Sequence, residues 1–225
     1  MSFLQRLFTG RKGRPAYWAA YKKSLDHAFP SNMPLHKVRF VVFDTETTGL
    51  DPTRDHLLSI GAIAVRNGRV EVADSFECLV QQPVVNKDSI VIHGLTPGRV
   101  MSGIKEEEAI RSFVKYIEGS ILVAHHAAFD KAMINRAIKK KYRARLLNQT
   151  IDTAGLALRL EHFGMPMESF RKGEYSLDSL CARYHIRPQD RHTAAGDSFI
   201  TAQLLLKLLR LAEKRGIRTV GELVG

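Results

Sequence analysis

The chain is poor in the residues that staple or span. Its two cysteines, Cys78 and Cys181, stand far apart in 225 residues and leave no metal-ligand spacing. They are expected to be reduced and buried thiols of a cytoplasmic protein. No apolar run approaches the roughly 18 residues that cross a bilayer, so no membrane partner is expected. The basic N-terminus lacks the apolar core and small-residue cleavage site of a secretory signal. Neither an internal repeat nor a low-complexity tract is present. The hydrophobic fraction of 44% excludes global disorder and suffices for one substantial core.

Acidic residues are also scarce, 23 against 34 Lys and Arg, for a net charge of +11. Residues 1–40 hold eight Lys/Arg and one acid, and the other 185 hold 26 and 22. A basic surface around a small acidic centre fits a polyanion met by metal ions, although a basic protein with no such role would show the same total. The first 36 residues read as a basic, aromatic-containing helical extension. Phe3, Leu4, Leu7 and Phe8 make one short helical stripe, and Gly10 to Pro15 breaks it. Tyr17, Trp18, Tyr21, Leu25 and Phe29 make a second stripe, and Pro30 and Pro34 set it off from a domain over residues 37–225. Its aromatics either stack on a nucleic-acid strand or, the commoner outcome, pack on the domain.

What is present centres on Val41-Val42-Phe43-Asp44-Thr45-Glu46-Thr47-Thr48-Gly49-Leu50. Phe40 to Phe43 reads as a strand buried on both faces. A strand repeats every two residues, so Asp44 and Glu46 emerge on the same face at its end. Two carboxylates so close repel each other and lose water, and a divalent cation with oxygen ligands is the usual compensation. Taken alone, Asp-x-Glu at a strand end is more often a solvated terminus or a helix cap. The motif gains weight only if distant carboxylates converge on it.

Further along, Leu57–Val65 and Val70–Val80 read as strands joined by the hairpin signal Asn67-Gly68, so three antiparallel strands are expected in a row. A loop with Pro83 and Ile92-His93-Gly94-Leu95-Thr96 follows. A helix is expected over Lys105–Glu118, acidic in its first turn. Ile121–Ala124 reads as a buried strand. His125-His126-Ala127-Ala128-Phe129-Asp130 then leads into a helix, which leaves Asp130 either a cap or a ligand. The basic run from Lys139 to Arg145 either lines a phosphate path or is a solvated helix end. Asp152 fits an N-cap. Gly164 to Gly173 reads as loop. Ser176 opens a helix ending near Tyr184, and Arg191 to Asp197 open a last long helix. His192 precedes that helix, and Asp197 sits on its apolar face, where a lone carboxylate needs a partner.

With these stretches in view, the chain resembles the DEDDh 3′–5′ exonucleases, a family that includes the proofreading subunit of bacterial replicative DNA polymerase. Phe43 to Leu50 matches the first motif and His192-x-Ala194-x-x-Asp197 the third. The second motif departs at one position, with His126 where relatives carry Asn. The resemblance spans about residues 38–212 and implies an α/β, ribonuclease-H-like fold: a mixed central sheet, its first three strands antiparallel, flanked by helices. It implies Asp44, Glu46, Asp130 and Asp197 as ligands of two divalent cations, Mg²⁺ or Mn²⁺, and His192 as general base. Thr45, Thr47, Leu50, His93, His126 and Phe129 are carried over as substrate contacts. The implied reaction is hydrolysis of terminal phosphodiesters at single-stranded or frayed 3′ ends of DNA to nucleoside 5′-monophosphates. RNA trimming on the same fold is the alternative, and a noncatalytic nucleic-acid-binding module is a remote one. The proofreading subunit carries a polymerase-binding tail after its last catalytic helix. Here only about ten residues, Gly216 to Gly225, follow, so a stand-alone or differently partnered enzyme is expected.

Overall fold

Phe40–Thr47 forms strand β1, and its side chains alternate between two hydrophobic cores. The computed structural model of the protein describes residues 15–26, 29–83, 86–163 and 173–224. The stripe from Phe3 to Phe8 and residues 164–172 of the expected loop lie outside them. Strand β1 pairs antiparallel with β2 (Leu57–Arg66), which pairs antiparallel with β3 (Arg69–Leu79). The β2–β3 turn places Asn67 at φ 51° and Gly68 at φ 69°, the left-handed pair that the hairpin signal demands. On its other edge β1 runs parallel to β4 (Ile121–Ala124), which runs parallel to β5 (Thr150–Asp152). The sheet order is β3-β2-β1-β4-β5, the mixed sheet expected from the motifs.

Helices cover both faces. On one lie α1 (Ala16–Leu25), α4 (Glu106–Tyr116) and α5 (Ala127–Tyr142), clustered with Val41 and Phe43. On the other, α6 (Thr153–Glu161), α7 (Leu177–Arg183), α8 (Ala194–Lys214) and α9 (Val220–Val224) cluster with Phe40 and Val42. Each large side chain so buried contributes about 1.5–3 kcal/mol. Trp18 and Tyr21 of α1 are buried in the first of these cores, so the aromatics of this segment pack on the domain. The Tyr21 hydroxyl donates to Asn148 Oδ1 and accepts from the Leu147 N–H at 2.8 Å.

One expectation changes, and one open alternative closes. The loop expected around Pro83 to Thr96 contains helix α2 (Lys87–His93), capped by Asn86 and ended by Gly94 at φ 67°. The β-branched run Ile90-Val91-Ile92 concealed it, because such residues have low helix propensity. A second short helix, α3 (Pro97–Met101), follows with Pro97 in its first turn. Asp130 does not cap α5; His126 stands at that position and Asp130 lies inside the first turn. Asp152 does cap α6, its Oδ1 accepting from the N–H groups of Ala154 and Gly155, while its Oδ2 accepts from the Ala127 N–H at the start of α5. Cys181 is buried, Cys78 is half-buried, and both are free thiols. Among the described residues no helix is long and apolar enough to cross a membrane.

Candidate active site

The alternation of β1 decides which side chain meets which helix. Asp44 and Glu46 continue the row of Phe40 and Val42, which faces α8. Thr45 continues the row of Val41 and Phe43, which faces α5. Asp197, in the first turn of α8, therefore meets Asp44 and Glu46. One carboxylate oxygen from each of the three lies within 4.8 Å of the other two. Asp130, in the first turn of α5, meets Thr45 instead. Its Oδ1 accepts from the Thr45 N–H at 3.0 Å and from the Thr45 hydroxyl at 2.6 Å. Both aspartates sit where a helix dipole favours negative charge.

Two backbone features make the approach possible. Gly61 lies opposite Asp44 in the β1–β2 ladder. A Cβ there would come within 2.3–2.4 Å of the Ala194 and Ala195 backbone, so α8 reaches the sheet only over a glycine. The β1–β2 register also slips between Glu46 and Thr47, a bulge at the site.

The electrostatics are strained in the way a cation would relieve. Burial, then Asp130, Glu46 and Asp197, push the Asp44 carboxyl well above its usual range. Burial and the charges of Asp197 and Asp130 push Glu46 up to about 7. Burial pushes Asp130 up to about 7 despite the two hydrogen bonds from Thr45. The charge of Arg191 opposes the shifts at Asp44 and Glu46. Its guanidinium pairs with Asp197 Oδ1 through Nη1, and with Asp178 Oδ1 through Nε at 2.9 Å. A cluster of hard carboxylate oxygens short of positive charge fits a divalent cation, with Asp44, Glu46 and Asp197 as the residues able to share one.

The remaining sequence candidates are placed less uniformly. The His192 backbone N–H donates to Asp197 Oδ2 at 3.3 Å, its φ is 61°, and the residue is exposed beside the acids. Leu50 is 87% exposed on the loop after β1. That loop is pinned by Thr48 Oγ1, which donates to Asp55 Oδ1 at 2.8 Å and accepts from the His56 N–H at 3.0 Å. The Thr47 hydroxyl donates to the Gly49 carbonyl. His126 is exposed in the left-handed region at the start of α5, and Phe129 is half-buried against the α5-side core. His93 is buried at the end of α2, its Nδ1 accepting from the Leu95 N–H, and no described contact links it to the acids. Sequence reasoning missed Arg191, Gly61 and the Thr45–Asp130 pairing. A glycine inside an apolar strand was the available signal for Gly61.

Known proteins agree with this architecture. The family model described as Exonuclease (RNase_T) matches residues 41–205. An epsilon-like protein of DNA polymerase III from Rhodobacter capsulatus is 39% identical over 196 residues, 84% of this chain and 26% of that protein. A PolC-type DNA polymerase III from Bacillus subtilis is 34% identical over 191 residues, 84% of this chain and 13% of that one. The chain thus spans about a quarter and about an eighth of these relatives. Among solved structures, E. coli exonuclease I in complex with a dT13 oligonucleotide gives a TM-score of 0.66 at 14% identity, over 80% of this chain and 43% of that one. Exonuclease X in complex with 5′ overhanging duplex DNA gives 0.60 at 23% identity, over 84% of this chain and 99% of that one. At such identities these two likenesses speak for the fold alone. With the family model spanning most of the chain, and its acidic motifs on β1, α5 and α8, the protein belongs to the exonuclease family, in its DEDDh form.

Proposed function

We propose that this protein is a metal-dependent 3′–5′ exonuclease that releases nucleoside 5′-monophosphates from DNA 3′ ends. The convergence of Asp44, Glu46 and Asp197 carries the reading, because three carboxylates brought this close repel one another and a bound cation relieves that repulsion. Asp130, oriented by Thr45, would supply the fourth carboxylate of a two-ion site. Bound there, Mg²⁺ or Mn²⁺ would supply the missing positive charge and lower the pKa of a water beside it.

The chain's own residues do the rest. His192 is the general base that accepts the proton of the attacking water. Its backbone hydrogen bond to Asp197 ties the base to the metal ligands. Leu50 offers an exposed apolar side chain to the terminal base, with the pinned loop holding it in place. Thr47, His93, His126 and Phe129 remain candidate contacts to the terminal nucleotide. The names of the relatives, DNA polymerase III epsilon-like and PolC-type, favour DNA over RNA.

Strands labelled at the 3′ or the 5′ end, in DNA and RNA versions, with Mg²⁺, Mn²⁺ or EDTA, test this directly. Metal-dependent loss of a 3′ label as mononucleotide, while the 5′-labelled strand shortens stepwise, is expected for DNA. Faster trimming of RNA would transfer the reading to an exoribonuclease, and inertness with both would leave only a binding module.

A further inference from the structure

A cleft of about 1400 Å³ opens between α1, α5 and the loop after β1, and its charged lining is wholly basic. From α5 come Ala132, Asn135, Arg136, Lys139 and Lys140, spaced i, i+3, i+4, i+7 and i+8, and Arg143 caps the helix at φ 49°. That spacing is one face of a helix, adjacent to the face buried through Asp130, Met133, Ile134, Ala137 and Ile138. Lys22 of α1 stands on the opposite wall, and Arg145 extends the row past the helix end. Lys140 reaches Glu106 at 3.7 Å, and Arg136 donates to the carbonyls of Pro52 and Asp55. Lys22, Lys139, Arg143 and Arg145 are exposed and have no ion pair among the described residues.

The cleft is joined to the acid site at two points. Pro52 and Thr53, which line it, belong to the same pinned loop as Leu50. Helix α5 carries Asp130 in its first turn and Lys139 in its last, with Arg143 at its C-terminal cap. At 1.5 Å per residue, Lys139 and Arg143 lie about 14 Å and 20 Å along the axis from Asp130.

We propose that this cleft holds the sugar–phosphate backbone of a single polynucleotide strand several nucleotides upstream of the 3′ end being hydrolysed. The proposal rests on the exonuclease reading and extends it to the body of the substrate. Unpaired cations in a row match phosphates in a row, and each phosphate neutralised releases a counterion. Helix α1 is then one wall of the track. It is held in place by Tyr21 on Asn148 and by Trp18, whose ring lies 6.2 Å from that of Tyr142 at the end of α5.

The test compares the wild type with a triple variant, Lys139→Gln, Arg143→Gln and Arg145→Gln. A control, Lys207→Gln, Arg210→Gln and Lys214→Gln, removes equal charge from α8. Binding of 5′-fluorescein oligothymidylates of about twenty and about two nucleotides is measured by anisotropy in EDTA at several salt concentrations. Hydrolysis of the p-nitrophenyl ester of thymidine 5′-phosphate with Mn²⁺ reads the acid site alone. The triple variant should bind the long strand at least tenfold more weakly, with a salt slope shallower by about two, since three contacts at about 0.7 each are lost. The short strand and the ester should be unaffected, and the control should behave as wild type. Unchanged binding of the long strand, an equal loss for both lengths, or the same loss in the control would overturn the track. So would a loss seen with a duplex of the same length and not with the single strand. An inert ester and inert labelled strands in the wild type, together with the expected binding loss, would remove the catalytic reading and leave the track standing.

Discussion

Arg191 and Asp197, six residues apart, form an ion pair at the mouth of the acid cluster, and Asp178 holds the same guanidinium from the other side. The pair puts a side-chain cation where the three carboxylates converge, next to His192. A divalent ion entering this cluster must share Asp197 with Arg191 or displace it toward Asp178.

Arg191→Gln should therefore weaken the metal-free protein and tighten its hold on metal. Removing one partner of a largely buried pair leaves the other uncompensated, and a loss of about 1–3 kcal/mol is expected. Thermal unfolding in EDTA should show the loss, and saturating Mn²⁺ should recover most of it. Calorimetric titration with Mn²⁺ alone should give higher affinity than in the wild type. An unchanged unfolding temperature in EDTA would mean that Arg191 does not balance these acids.

Glu46 gives stability a pH dependence whose sign can be stated. It keeps its proton to about pH 7 in the folded chain, but gives it up near 4.5 when unfolded. Between those values the unfolded state binds fewer protons, so metal-free stability falls as pH rises. Glu46→Gln removes this titration. In EDTA the variant should match the wild type at pH 5 and be more stable at pH 8. The gain is about 1–2 kcal/mol once water at the half-open site has screened part of the repulsion, or about 2–6 °C. Mn²⁺ at pH 8 should reverse the order. A variant less stable than wild type at pH 8 without metal would contradict the crowding of these acids.

Gly61→Ala asks whether α8 must touch the sheet. The added methyl would collide with backbone rather than with a movable side chain, so the start of α8 must shift. Overpacking of this kind costs about 1–3 kcal/mol. Asp197 moves with the helix, so activity and Mn²⁺ affinity should fall together and by more than the fall in stability alone explains. Activity within twofold of wild type would show that the close approach is dispensable.

His192→Ala separates chemistry from folding. The residue is exposed and joins the structure through its backbone N–H, which alanine retains. Unfolding temperature and Mn²⁺ affinity should stay near wild type, while the hydrolytic rate drops about 10²–10⁴-fold, the usual contribution of a general base. A rate within tenfold of wild type would assign the proton to another acceptor.

Local pattern was enough for a good part of the fold. The two-residue alternation of β1, the Asn67-Gly68 hairpin, the Asp152 cap and the long amphipathic run of α8 all depend on near neighbours in the chain, and each was legible there. Helices α2 and α3 were not, because they are short and rich in β-branched residues or begin at proline. Strand β5 is three residues long and exists only because β4 offers its edge. The acidic residues could be named from their spacing and from their resemblance to a family, but not how they divide.

That division belongs to the tertiary structure. The sequence by itself determined that Asp44 and Glu46 share one face of a strand and that Thr45 takes the other, since this follows from the pleat. Only the folded chain decided that α8 supplies Asp197 to the first face and α5 supplies Asp130 to the second. It alone set Gly61 beneath α8 and a basic helix face along a cleft ending near Leu50. Contacts between residues tens to more than a hundred positions apart are set by how helices settle on a twisted sheet, and no local period encodes that.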